Sequence, residues 1–307
     1  MDLAVFHEDA KISTEPYICE YTENASGRCD TLYMAFRDEE QELAGLDIQK
    51  GGEVQAVHGA SDTGAMFISE IRRAGELLTI KALSMPSTII KAGNAAWEKV
   101  SFMELIQDVA DETGLSFSID RPVDVYYREV SRYEQSPAEF LEHRLSLESY
   151  AMRIHDKTIR IYDERAAENA DYAQQLWQPD FSKPPEFSTS DAGLISRVEN
   201  QFITAEGERI STAVESGISG RIIRKNMAVS SIEESERFSY GIMRSANKYE
   251  FVSEGKLDGT GYSACQTVWL VDAPEGHAGL NFIYRVVDDF IGDTQIISMR
   301  KPIAEGY

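Results

Sequence analysis

The sequence predicts an α+β fold that is mainly β, with a small β module near each end and a mixed helix and strand region between them. Each copy has three strand-like runs, a glycine-containing polar loop after the first run, and Phe-Ile at the start of the second (Phe67-Ile68 and Phe282-Ile283). The alternative is that two ordinary three-stranded meanders look alike by chance. The runs are residues 53–57, 66–71 and 77–82 in the first copy, and 266–270, 281–286 and 295–300 in the second.

Residues 1–90 have the pattern of β structure. Leu78, Ile80 and Ala82 alternate with polar residues, which indicates a strand with one buried face. The glycine pair at 51–52 and the segment Ala74-Gly75-Glu76 are typical of turns.

Residues 91–165 change to α+β. Ser101 with Glu104, and Ser136 with Glu139, each form a capping box at the start of a helix, and Pro137 suits the first helical position. Gly114 ends the first helix, and 115–119 alternates as a strand. The second helix should bury Phe140 and Leu141, and 150–154 with 158–162 predict a hairpin around a turn at 156–157.

Residues 166–187 are polar and contain three prolines, which predicts a linker or long connection. From 188 to 307 the chain is again predicted to be β. Strands are expected at 195–203 and 208–216, with a turn at 205–207. A single helix with a third capping box, Ser231 and Glu234, interrupts this region and ends near Asn247.

The 307 residues suit about two domains, and they carry a formal net charge of −22. The acidic residues are spread along the chain. Because phosphate backbones are bound through Lys and Arg, this balance argues against direct nucleic-acid binding. It suits the wall of a channel through which acidic molecules slide, and it equally suits an ordinary solvated acidic surface.

The cysteines and the absence of targeting signals indicate the compartment in which the chain folds. Cys19, Cys29 and Cys265 have no metal-like spacing and leave one cysteine unpaired, which favours a reducing compartment during folding. The N-terminus has no signal-peptide pattern, and no apolar run approaches the roughly 20 residues that span a bilayer. We therefore expect no membrane partner.

The sequence contains none of the common catalytic or phosphate-binding motifs. We find no nucleophile elbow and no phosphate loop, and the abundant carboxylates define no pair. The three tryptophans are expected to anchor a core or an interface. The sequence therefore predicts no catalytic, cofactor-binding or metal-ligating residue. The histidines, His7, His58, His143, His155 and His277, lack the spacing of a helix-borne metal site.

The segment 133–145 carries a more specific pattern. An aromatic residue and Glu precede a capped helix with Phe-Leu-x-x-Arg-Leu at 140–145. This segment, with 78–82, Trp97 and the helices at 101 and 231, resembles the phage late control protein D group of trimeric baseplate hubs, which is similar to the first part of type VI spike proteins. The sequence departs from the group at Ser149, where Gly is common, and at Asp288, where His is common.

The resemblance implies two tail-tube-like β-barrel domains, residues 1–90 and 188–307, the second with the inserted helix. The α+β domain 91–165 and the connection 166–187 would lie between them. It further implies a homotrimer that adapts a trimeric spike protein to a hexameric tail tube protein, with other baseplate proteins and the tape measure as further partners. No catalytic residues, cofactor or DNA binding are implied.

The resemblance also sets the expected location: the bacterial cytoplasm during assembly, and then the baseplate of a phage tail, bacteriocin or related injection particle. The alternative is a cell-wall hydrolase or carbohydrate-binding protein carried on the baseplate. Since the chain ends soon after the second module, we expect no appended lysozyme or peptidase domain.

Overall fold

A computed structural model describes residues 3–8, 10–39, 43, 45–204 and 207–303. These residues confirm the predicted fold class, α+β and mainly β. The first part of the chain consists of short strands followed by one helical turn. The elements are β1 (Leu3–His7), β2 (Ala10–Lys11), β3 (Ile18–Asn24), β4 (Thr31–Arg37), β5 (Glu53–His58), β6 (Ser61–Asp62), β7 (Met66–Ala74), β8 (Leu77–Leu83) and α1 (Ser87–Ile90).

The middle part alternates strands with helices. Its elements are β9 (Gly93–Ser101), α2 (Phe102–Thr113), β10 (Ser116–Ile119), β11 (Tyr126–Gln135), α3 (Pro137–Leu147), β12 (Tyr150–His155), β13 (Thr158–Asp163) and α4 (Glu164–Glu168).

The last part returns to strands and contains one long helix. Its elements are β14 (Gln174–Leu176), a 3₁₀ turn (Gln178–Asp180), β15 (Glu186–Thr189), β16 (Ile195–Ile203), β17 (Arg209–Glu215), β18 (Arg221–Lys225), α5 (Ile232–Asn247), β19 (Phe251–Asp258), β20 (Thr267–Leu270), β21 (Gly279–Asp289) and β22 (Thr294–Arg300).

Strands from both ends of the chain join in one sheet. Within the described residues it has fourteen strands, with the path β15-β19-β22-β21-β3-β4-β8-β7-β5-β1-β2 and with β20, β14 and β6 attached as branches. The sheet covers two separate apolar cores. One is built around Leu32, Phe36 and Ile80 of the N-terminal strands, and the other around Val268 and Ile297 of the C-terminal strands. No pairing among the described strands closes either half into a ring.

The two helices of the middle domain begin as the sequence predicts. Ser101 Oγ accepts the N–H of Glu104, whose carboxylate accepts the N–H of Ser101 at 2.9 Å. Ser136 and Glu139 repeat this arrangement, with Pro137 at the first helical position. Gly114 ends α2 with φ +72°, a left-handed conformation that glycine adopts without the steric cost of a Cβ.

The third helix start differs in one detail. Ser231 Oγ accepts the N–H of Glu234, as predicted, but the Glu234 carboxylate accepts the N–H of Ser230 at 2.7 Å. The reciprocal bond has therefore moved one residue toward the N-terminus. Glu234 is also within 3.7 Å of Arg144 on α3, which draws the carboxylate toward the neighbouring helix.

The middle domain packs α2 and α3 against a three-stranded sheet of β10, β13 and β12 and a two-stranded ribbon of β9 and β11. The predicted hairpin is β12–β13, and its turn residues Asp156 and Lys157 both have positive φ. Sequence reasoning did not identify the ribbon. Its strands lose the period-two alternation at Lys99 and Glu134, which have positive φ, and the pairing shifts register between Arg132 and Gln135.

The insertion in the C-terminal half is larger than one helix. The strands β16, β17 and β18 form their own three-stranded sheet within the described residues, and α5 packs on it and on α3. Gly241 lies where α5 crosses the end of α3, and a Cβ there would collide with the carbonyl oxygens of Ser146 and Leu147. Of the turn predicted at 205–207, Ala205 and Glu206 lie outside the described residues.

The segment 166–187, predicted as a connection, also contributes to the core. Leu176 on β14 pairs with β20 in parallel and is 2% exposed, and Phe181 packs in the same apolar cluster. The polar composition of the segment did not predict this role. Besides Leu176 and Phe181, Glu168 is 0% exposed and Phe187 packs against the same apolar cluster.

Replacement of Phe140 tests the core of the middle domain. Its side chain is 4% exposed, and its ring stacks on Trp97 with centroids 5.2 Å apart. We expect Phe140→Ala to lower the free energy of unfolding by about 3–5 kcal/mol, because it opens a cavity in the core. Denaturant unfolding against the parent measures this. Tyr133→Ala is the matched control, since Tyr133 is 72% exposed and should change stability by about 0.5 kcal/mol or less.

Candidate functional site

The repeated module contains five strands rather than the three predicted. In the N-terminal half the order is β5-β7-β8-β4-β3, and in the C-terminal half it is β20-β21-β22-β19-β15. Every pair of neighbours within each set is antiparallel. The two sets therefore share strand order and direction.

The register of the two modules also matches residue by residue. Phe67 pairs with Glu53 and Leu83, and Phe282 pairs with Thr267 and Arg300. One residue after each Phe-Ile the register shifts by a bulge, at Ser69 in β7 and at Tyr284 in β21.

The turn before the first run repeats as well. The N–H of Gly51 donates to the carbonyl of Ile68 at 2.8 Å, and the N–H of Cys265 donates to that of Ile283 at 2.9 Å. Both donors have positive φ, +86° for Gly51 and +72° for Cys265. Two unrelated meanders would not share register, bulge and turn, so we regard the modules as a structural duplication.

The modules meet through a direct strand pairing. The second half of β21, Arg285–Asp289, pairs antiparallel with β3 at Glu20–Asn24. Backbone bonds from Ala25 N to Tyr284 O and from Phe290 N to Cys19 O, both 2.9 Å, flank the pairing. One face of this junction is buried, with Val286 at 0% and Tyr21 at 3% exposure, whereas Glu20 on the other face is exposed.

An ion cluster ties the middle domain to the junction. Arg153 on β12 pairs with Glu23 on β3 and with Asp30, whose Oδ2 lies 3.1 Å from Arg153 Nη2. Asp30 also accepts the hydroxyl of Tyr21 and the N–H of Asn24. Burial raises the pKa of Asp30 to about 6, against the opposing effects of Arg153 and Asn24.

A second buried ion cluster fixes the helices to the sheet. Arg300 on β22 is 1% exposed and reaches Glu164 and Glu168 on α4. Arg244 and Lys248, at the end of α5, bind the same two carboxylates at 3.0 and 2.8 Å. The positive neighbours lower the pKa of Glu164 although burial acts against them.

The carboxyl of Asp288, a position singled out in the sequence, is buried. It is 2% exposed, and its Oδ1 accepts a hydrogen bond from the side-chain amide N–H of Gln295, with Nε2 and Oδ1 2.6 Å apart. Burial raises the pKa of Asp288 to about 7. It borders a cleft of about 790 Å³ between the junction and the β10–β13 strands, together with Arg153 and His155.

The cysteines carry no sign of reactivity. All three are free thiols, and burial raises the pKa of Cys19 to about 12 and that of Cys265 to about 11. Burial also raises the pKa of Cys29. Thiols with raised pKa values are poor nucleophiles at neutral pH.

The histidines lie in different parts of the fold. His58 stacks on Phe290, His277 lies between Phe187 and Phe251, and His155 on β12 has its pKa lowered by burial and by Arg153. In the part of the chain that the structure describes, no group of three or more His, Cys, Asp or Glu side chains could hold a metal.

The tryptophans divide between core and surface. Trp97 packs on Phe140, whereas Trp177 and Trp269 are 48% and 40% exposed. Trp269 contacts Tyr172 with centroids 5.6 Å apart, which leaves an aromatic patch on the surface beside β20. Among the described helices, none is long and apolar enough to cross a membrane.

The comparisons with known proteins find a similarity of fold and none of sequence. No family model matches the chain, and no curated protein matches it. Solved structures do match. The 43 kDa tail protein of prophage MuSo2 from Shewanella oneidensis is 12% identical, with a TM-score of 0.73 over 98% of this chain and 97% of that one.

Two further structures agree with this fold. A tail protein from Neisseria meningitidis is 8% identical, with a TM-score of 0.78 over 97% of this chain and 96% of that one. A type VI secretion component of E. coli, described as structurally similar to the T4 tail proteins gp27 and gp5, is 12% identical, with a TM-score of 0.61 over 99% of this chain and 78% of that one. The predicted resemblance to tail and baseplate proteins is therefore confirmed at the level of the fold.

Removal of Arg300 tests the second ion cluster. Arg300→Met leaves Glu164 and Glu168 buried with one cation fewer, so we expect a loss of about 3–5 kcal/mol in unfolding free energy. The control is Arg224→Met. Arg224 is 82% exposed beside Glu199 and should contribute at most about 1 kcal/mol. Equal effects of the two changes would contradict the role of the cluster.

The pKa of Asp288 predicts a pH dependence of stability. A carboxyl whose pKa rises from 3.8 to about 7 on folding binds its proton more tightly in the folded state, so its stabilising effect is lost as pH rises from about 4 to 7. We expect Asp288→Asn to be more stable than the parent at pH 8, by on the order of 2–4 kcal/mol, and to lose that advantage near pH 4. Urea unfolding at both pH values measures it. The same gain at both would contradict the titration.

Proposed function

We propose that this chain is a structural hub of a phage tail or related contractile injection particle. Three copies would lie on the particle axis and connect a trimeric spike to a six-fold tail tube. The observation that carries this proposal is the duplicated five-strand module with identical register in both halves of one sheet. Because each chain holds two such modules, three chains provide six similar units for a tube of six subunits.

The proposed domains follow the duplication. Residues 1–90 and 188–307 would be the two tube-facing units, and the latter carries the insertion of β16–β18 and α5. Residues 91–165 would pack against the joined units, through the Arg153 cluster at one side and Glu164 at the start of α4 at the other. The segment 166–187 would be a connection that also closes the second core through Leu176 and Phe181.

The net charge of −22 supports a channel rather than a nucleic-acid binding surface. The buried arginines are paired with carboxylates, so the excess acid remains on the surface, where water and salt screen it beyond about 8–10 Å. An acidic channel wall would repel a passing polyanion and would not bind it.

The partners in this proposal are a trimeric spike, a hexameric tube protein, further baseplate proteins and the tape measure. The E. coli neighbour is described as a type VI secretion component similar to T4 tail proteins, and the others are described as tail proteins, which supports this class of partner and a non-enzymatic role. We infer assembly in the bacterial cytoplasm and a final place in the baseplate.

The position of the chain in its particle tests the proposal. Cryo-electron microscopy of particles from the bacterium that encodes it should find three copies on the central axis, between spike and tube. Six peripheral copies on the sheath would refute the hub. The alternative of a carried hydrolase is tested separately by zymography on cell walls, in which we expect no clearing from the purified chain.

A further inference from the structure

The two modules differ in what covers their edges. In the pairing of β21 with β3, Val286 is 0% and Tyr21 is 3% exposed. By the register of the repeat, the counterpart of the β21 segment Arg285–Asp289 is Glu70–Ala74 on β7. The counterpart of β3 at Glu20–Asn24 is 186–190, which contains β15 (Glu186–Thr189). In the junction the two equivalent edges pair with each other, whereas these two segments have no partner strand on that side among the described residues. β15 is the last strand of the sheet, and β7 is paired beyond Ile68 only with β8.

We propose that these edges pair with each other between two copies of the chain. The register follows from the junction, in which Val287 lies opposite Thr22 and Asp288 opposite Tyr21. Transferred to the counterparts, Arg72 lies opposite Ser188, Arg73 opposite Phe187, and Ala74 opposite Glu186 of the next copy. The inference rests on the proposed function, since the same pairing repeated around the axis would join the hub subunits.

The backbone on both edges is oriented for this pairing. Ser190 N donates to the carbonyl of Glu250, just before β19, so strand alternation directs the backbone N–H and C=O groups of Phe187 and Thr189 away from β19, toward the open edge. On β7, a two-residue turn joins Ala74 to its partner Leu77, and the same alternation directs the backbone N–H and C=O groups of Arg73 and Ile71 away from β8, toward the open edge. Each edge therefore presents backbone donors and acceptors at every second residue, and such an edge is a template for another strand.

The charges on the two edges are compatible with the proposed register. The β7 edge carries the exposed Glu70, Arg72 and Arg73, and Arg73 is already paired with Asp38 at 3.3 Å. Arg72 lies diagonal to the exposed Glu186 of the β15 edge, and opposite charges at such positions attract. Because the transferred register joins two different edges, the contact is heterologous, and heterologous contacts close into rings when the rotation permits.

Two cysteines introduced across the proposed seam test its register. Arg72 and Ser188 form a pair without mutual backbone hydrogen bonds, the closer type of antiparallel pair with Cα atoms about 4.5 Å apart. In the full chain carrying Arg72→Cys and Ser188→Cys, we expect oxidation to give a disulfide between positions 72 and 188. Mixing ¹⁵N-labelled and unlabelled chains before oxidation identifies linked peptides that come from two copies.

The control variant carries Arg72→Cys with Glu186→Cys, a diagonal pair about 7–8 Å apart that is too distant for a disulfide. We expect it to cross-link at least tenfold less. The parent chain gives the background from Cys19, Cys29 and Cys265. Equal cross-linking of both variants, or a disulfide only within single chains, would overturn the seam.

Sedimentation of the same samples separates the seam from the hub. A trimer without the 72–188 disulfide overturns the seam and leaves the hub standing. Disulfide-linked oligomers of more than three copies support the seam and count against the trimeric hub. The samples are compared at about 1 μM and about 100 μM chain, because association depends on concentration. A chain that remains monomeric and forms no disulfide at the higher concentration overturns the seam as a contact between copies.

Discussion

The pairing of β21 with β3 is the contact on which the rest of this structure depends. It joins strands from the two ends of the chain and satisfies backbone groups that would otherwise lie at two open edges. Through it, two apolar cores that share no side chains come under one continuous sheet. The junction also sets the orientation of each module relative to the other, and hence the geometry with which a ring could form.

The ion clusters explain how parts that are not strands stay attached to this sheet. Arg153 brings the middle domain to β3, and Arg300 brings α4 and the end of α5 to β22. A buried charge is costly unless it is paired, so each cluster fixes one arrangement of its elements and penalises others. The ion pairs therefore set how the middle domain and the helices are oriented on the sheet, whereas burial of apolar side chains stabilises the fold.

Local signals predicted the elements that depend on neighbouring residues. The capping boxes at Ser101 and Ser136 start helices because the serine and its glutamate partner lie three residues apart. The turn at Asp156 and Lys157 likewise depends only on the backbone conformation of those two residues. The Phe-Ile repeat was also visible, and the bulge that follows it gives that repeat a structural meaning. Of the proposed assembly edges, the sequence located β7 as a strand, whereas β15 lay at the boundary of a predicted connection.

The sequence by itself determined the fold class, the helix starts, the repeated runs and the acidic surface, because these depend on residue type and short spacing. Only the tertiary structure decided that each module has five strands, that β3 pairs with a strand more than 250 residues away, and which edges remain open. The physical reason is that strands pair through backbone N–H and C=O groups, which nearly every residue type supplies. The partner of a strand edge is chosen by backbone geometry and by what the remaining strands leave uncovered.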